Sequence, residues 1–75
     1  MMMINLTAAD VEGVKIVADN SDPEAIALAW AAEVDWSAPE YHGLTLDVAW
    51  EIADGPRAGE KGVVQYEVPG TQAAS

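Results

Sequence analysis

The side chains able to do chemistry in this chain are almost all carboxylates. Thirteen Asp and Glu stand against three Lys and Arg, one His and no Cys. A carboxylate serves as a general acid or base, as a ligand for a hard cation, or as a partner for Lys and Arg. The first two roles need company that the sequence does not supply. His42 has Glu40 and Asp47 near it, but no spacing matches a zinc site and no Asp-x-Asp-x-Asp-Gly calcium loop occurs. Ser21, Ser37 and Ser75 lack a nucleophile elbow and have one His between them to act as base. The run from Gly55 to Gly62 (GPRAGEKG) is as rich in glycine as a phosphate loop, yet it lacks the Gly-Lys-Ser/Thr ending and reads as a hairpin turn. The expectation is a protein that is not an enzyme, with no cofactor and no resident metal. A weak calcium site is the least supported alternative.

That leaves recognition of a basic partner. The formal charge is −10, and it is unevenly spread: residues 1–54 hold eleven acids and Lys15 alone, whereas residues 55–75 balance Arg57 and Lys61 against Glu60 and Glu67. Self-repulsion of this kind opposes folding and self-association, and it disfavours direct contact with nucleic acid or an anionic membrane. Solubility alone asks for a net charge of only ~2–8 in a small domain. It also gives no reason for the near absence of bases from the first 54 residues.

The elements that must position these carboxylates centre on Leu44–Ile52 (LTLDVAWEI). There Leu44, Leu46, Val48, Trp50 and Ile52 alternate with Thr45, Asp47, Ala49 and Glu51, the period of a strand with one buried face. Ahead of it, Met2–Thr7 reads as a first strand and Val14–Ala18 as a second, with Val14 and Ile16 inward and Lys15 and Val17 outward. Ala8–Gly13 is then a polar connection, or Ala8–Glu12 a single helical turn capped by Thr7. A helix is expected from Pro23 to about Val34, started by a Ser21/Glu24 capping box or by Asp22 before Pro23. Its apolar stripe is Ile26, Ala27, Trp30 and Val34, with Leu28, Glu24, Ala31 and Asp35 turned away. Residues 35–43 form a loop holding Trp36, Tyr41 and His42. Asp54–Gly62 is a turn, and Val63–Val68 returns as the last strand. The fold class is therefore α+β, a small antiparallel β-β-α-β-β sheet with one helix packed on one face. Residues 1–69 make the single domain and 70–75 a flexible tail. Nothing at the start reads as a signal peptide, and AIALAWAA is far below the ~18–20 residues of a membrane span.

Within this frame the candidate partner-binding residues are Glu33, Asp35, Trp36, Glu40, Tyr41, Asp47 and Glu51. The helix end, the loop and the central strand bring them to one side. Asp47 and Glu51 lie ~13 Å apart along one strand face at ~3.3 Å per residue, with Glu67 opposite either Ala49 or Asp47. Trp30 and Trp50 sit on apolar faces and read as core. Trp36 and Tyr41 either close the end of the core or supply aromatic anchors for a partner.

Small size, acidity and the absence of cysteine and catalytic motifs resemble the acidic inhibitors encoded by phages, of which anti-CRISPR proteins and other DNA mimics are the best-known group. Charge and length across the whole chain carry the resemblance, and no functional residue is transferred by it. It implies a cytoplasmic protein of the host cell, monomeric or weakly dimeric. Such a protein would occupy the Lys/Arg-lined channel of a nucleic-acid-binding protein or CRISPR surveillance complex and compete with DNA without turnover. The alternative is a structural or adaptor module that assembles through a sheet edge or the Trp36/Tyr41 surface.

Overall fold

Residues 1–69 are described by a computed structural model; the expected tail at 70–75 lies outside the described residues. Four strands, β1 (Met2–Ala8), β2 (Val11–Val17), β3 (Thr45–Asp54) and β4 (Lys61–Glu67), and one helix, α1 (Pro23–Glu33), follow one another as β-β-α-β-β. The strands form one antiparallel sheet in the order β2-β1-β3-β4, with α1 against one face. This is the α+β arrangement that the alternation of Leu46–Ile52 and the capped alanine-rich segment require. The two central strands supply the core, where Ile4, Leu6, Val48 and Ile52 are buried beneath Ala27, Trp30 and Ala31 of the helix. Alanines at the contact let the helix backbone lie close to the sheet. No helix among the described residues is long and apolar enough to cross a membrane.

The helix begins at Asp22, whose side chain accepts a hydrogen bond from the Glu24 amide at 3.1 Å while Pro23 takes the first helical position. Of the two start signals, the Asp22–Pro23 pair is the one in use. A carboxylate here also meets the positive end of the helix dipole. The buried stripe is Pro23, Ala27, Trp30 and Ala31, so Ala31 faces the core and not solvent as the sequence pattern predicts. Spacings of three and four residues from Ala27 lead to Trp30 and Ala31 together, and Ile26 and Val34 flank them half-buried.

The first hairpin differs most from expectation. Ala8 pairs with Val11, so the strands are joined by Ala9 and Asp10 alone and not by the six residues Ala8–Gly13. The faces of the β2 residues are also the reverse of those expected. Lys15 and Val17 turn inward with Val11 and Gly13, while Val14 and Ile16 lie outside, 55% and 62% exposed. The reason is the tryptophan above. A Cβ on Gly13 would stand 2.3 Å from Trp30 Nε1 and 2.7 Å from its Cε2, so the indole occupies the space that a side chain would fill. Inward-facing Lys15 reaches past the edge of the sheet to Glu33 at 3.0 Å. The same device recurs on the other edge, where a Cβ on Gly62 would lie 2.8 Å from Trp50 Cζ2. Gly13, Leu6, Trp50 and Gly62 form one row across the inner face, with a glycine under an indole at each end.

Smaller corrections follow from register. β3 starts at Thr45, leaving Leu44 46% exposed outside the strand, and runs on through Asp54, which the pattern places in the turn. The β1–β3 register shifts between Met3 and Ile4, which pair with Asp54 and Ile52, so Ala53 is the extra residue of a bulge. Pro39–Tyr41 form one 3-10 turn inside the segment expected to be loop.

Candidate functional site

The face of the sheet opposite α1 is uncovered among the described residues. Alternation sends Glu12, Val14 and Ile16 of β2 to it, Met3, Asn5 and Thr7 of β1, Asp47, Ala49 and Glu51 of β3, and Lys61, Val63 and Gln65 of β4. Pairing arranges them in rows. Val14, Asn5, Glu51 and Lys61 lie in one row, and Glu12, Thr7, Ala49 and Val63 in the next. Beyond them Asp47 stands opposite Gln65, with Oδ1 3.5 Å from its amide nitrogen, and Thr45 stands opposite Glu67. The expected pairing of Glu67 with Ala49 or Asp47 is therefore corrected. No like charges meet directly across the last hairpin, and Glu51 faces Lys61.

Two adjoining depressions mark this face, of about 470 and 630 Å³, and Asn5, Thr7 and Glu51 line both. Short side chains at the centre of the sheet make the floor. Val14 and Glu12 rise on the β2 side, Val63 and Lys61 on the β4 side. Val63, like Val14 and Ile16, is more than half exposed, at 58%.

The sequence candidates do not gather on one side. Asp47 and Glu51 are on the uncovered sheet face, whereas Glu33, Asp35 and Glu40 belong to the helix layer and the segment after it. A sheet separates the two groups, because α1 packs against the face that Asp47 and Glu51 leave. Glu33 is tied to Lys15, and Asp35 accepts the Ser37 amide at 3.0 Å. Trp36 is 7% exposed and donates Nε1–H to the Ala31 carbonyl at 2.8 Å, so it is a core residue and leaves the set of contact residues. Tyr41, half-buried, meets the Trp36 ring edge-on with centroids 5.1 Å apart. The aromatic pair closes the end of the core. His42 is exposed.

Carboxylates nevertheless stand on both sides of the sheet. Asp19 pairs with the Met1 amino group, Glu33 with Lys15 and Glu60 with Arg57; among the described residues the other ten of the thirteen carboxylates have no ion-pair partner. Glu12, Asp47, Glu51 and Glu67 are four of those ten, and Lys61 is the sole base on their face. Among the described residues no three His, Asp or Glu side chains converge as a metal site would require.

Arg57 has a role that the sequence pattern does not reveal. Its guanidinium grips Glu60 through Nε and Nη2, the latter at 2.9 Å, while Nη1 donates to the carbonyls of Asp19 and Ser21 at 3.2 and 3.0 Å. It thereby ties the β3–β4 turn to the segment that leads into α1. The hydrogen bond to Glu60 raises the Arg57 pKa, and the same bond holds the Glu60 carboxyl below the usual carboxylate range. A turn rich in glycine gives no hint of this, since the acceptors are backbone carbonyls 36 and 38 residues away.

No protein-family model matches the sequence, and neither the curated proteins nor the solved structures contain a match.

Proposed function

We propose that the protein is an acidic, non-catalytic inhibitor that binds the Lys/Arg-rich nucleic-acid-binding surface of another protein and competes with DNA there, as anti-CRISPR proteins of the DNA-mimic type do. The observation that carries this reading is the excess of unpaired carboxylate: among the described residues ten of thirteen acids lack an ion-pair partner, and two of the three bases are already engaged. Proteins hold DNA through Lys and Arg that neutralise its phosphates. A folded body of net charge −10 competes for those side chains without needing to resemble a base pair. Because the acids lie on both sides of the molecule, a flat contact engages one side at a time. The sheet face is the side we favour: Glu12, Asp47, Glu51 and Glu67 there all lack ion-pair partners among the described residues, whereas on the helix side Asp35 and Glu40 do but Glu33 is held by Lys15.

The test is competition. Tagged protein is used to retrieve partners at low salt, and each retrieved protein is assayed for DNA binding as the acidic protein is added. The reading predicts loss of DNA binding near one equivalent and steep weakening of the complex as salt rises. Partners that keep their DNA, or complexes indifferent to salt, would overturn it. A second reading, an adaptor that assembles through a sheet edge, is favoured by one observation. Both outer strands, β2 and β4, have an unpaired side among the described residues. Salt-resistant association with a partner strand is its signature.

A further inference from the structure

We infer that the trough on the uncovered sheet face is a docking site for a cationic amphipathic helix, one with an apolar stripe flanked by Lys and Arg. This rests on the reading of the protein as a binder of basic partners and names the shape of the segment bound.

Three features of the face point there. The floor is built from short side chains, Asn5, Thr7 and Ala49, so an incoming element can approach the sheet closely. The walls stand on the two outer strands, three strand spacings apart, or about 14 Å. A helix with its side chains is ~10–12 Å across and fits between them. Val14 and Val63, one on each wall and both more than half exposed, offer apolar contact that solvation does not require. Charge selects the sign of the flanks. Glu12 stands on the β2 wall, Glu51 rises from the floor on β3 beside Ala49, and Asp47 lies further along β3; among the described residues none of the three has an ion-pair partner, and Lys61 is the one base on this face. Lys and Arg beside the apolar stripe meet these carboxylates, and their aliphatic stems cover the valines. A second copy of this chain does not suit the face, since stacking would bring −10 against −10 and set Glu12 and Glu51 of each copy near one another.

The probes are two peptides of about 18 residues made only of Leu and Lys. One has Leu at i, i+3, i+4 and i+7 and the other is the same composition scrambled. Each is titrated into the isotope-labelled full chain and followed by amide chemical shifts. The expected result is a set of shifts confined to Thr7, Glu12, Val14, Glu51 and Val63, with binding of the amphipathic peptide roughly tenfold tighter than the scrambled one. Val14→Ser with Val63→Ser should weaken the amphipathic peptide by about the same factor. Both sites point to solvent, so the variant keeps its fold, which its unshifted core resonances would verify. Equal binding of both peptides, with shifts spread over helix and sheet alike, would overturn the docking site and leave the charge-driven inhibitor standing. No binding of either peptide at low salt would remove both. Concentration-dependent shifts of these residues without peptide would assign the trough to self-association instead.

Discussion

Replacing Gly13 with Ala tests the placement of β2, on which the composition of the uncovered face depends. The added Cβ would meet Trp30 at 2.3, 2.7 and 3.0 Å from three indole atoms, all inside normal contact distance. The indole is rigid, 7% exposed and seated on a helix, so it has little room to retreat. Forcing a methyl into a packed core costs about 1–3 kcal/mol. Loss of glycine's freedom in the unfolded chain returns roughly 0.4–1 kcal/mol. The net is a destabilisation of about 0–2.6 kcal/mol, centred on ~1.3, which at the centre is a fall in Tm on the order of 5–10 °C for a domain of this size. Urea unfolding followed by far-UV circular dichroism reads it directly, and Trp fluorescence reports the indole. The sign is the decisive part. Were Val14 and Ile16 the inward residues, Gly13 would face solvent and the methyl would stabilise. A Gly13→Ala protein more stable than the parent would refute the packing of Trp30 on β2. The outward valine and isoleucine would fall with it.

Four further outcomes follow from the same packing. Ala9 carries a positive φ of 53° in the two-residue turn, so Ala9→Gly should stabilise by about 0.5–1 kcal/mol in urea unfolding. Trp36→Ala should cost ~3–5 kcal/mol, because the ring fills the end of the core; a partner-contact residue would cost little. Added NaCl should raise Tm by screening the self-repulsion of a −10 chain, and a Tm that falls between about 0.02 and 0.5 M salt would contradict that account. Glu60 is held below the ordinary carboxylate range by its hydrogen bond from Arg57, so its contribution is present above that range and is lost as pH falls through the depressed value. Acidification also relieves repulsion elsewhere, so the comparison is with Glu60→Gln. The parent's advantage over that variant should shrink between about pH 5 and pH 2 and not grow.

What could be read from the sequence depended on whether one face of an element was plainly apolar. In β3 the alternation through Leu46, Val48, Trp50 and Ile52 leaves no competing phase, and its inward residues are where the pattern puts them. Asp22–Pro23 likewise marks the helix start without ambiguity of element type. In β2 both phases are apolar: Val11 and Val17 lie on one face, Val14 and Ile16 on the other. Gly13, which appears to end a connection, in fact marks the inner face because Trp30 needs its missing side chain. Nothing local to residues 11–17 announces a tryptophan 17 positions later. The expected gathering of the candidate carboxylates on one side fails for a related reason. Membership of a helix end, a loop and a strand is legible, but which side of the sheet each reaches is a tertiary fact. Asp47 and Glu51 fall on one side of it, and Glu33, Asp35 and Glu40 on the other. The outward position of Val14 is hidden by the competing phase of β2, whereas that of Val63 follows from the alternation of β4, and the grip of Arg57 on distant carbonyls leaves no trace in spacing.

The most direct measurement compares two double charge reversals in the DNA-competition assay. Asp47→Lys with Glu51→Lys alters the sheet face, and Asp35→Lys with Glu40→Lys alters the helix side by the same formal charge. If the sheet face makes the contact, the first pair abolishes competition while the second leaves the affinity within about threefold, its residual loss reflecting net charge alone. Equal losses from the two pairs, or a greater loss from the helix side, would contradict it.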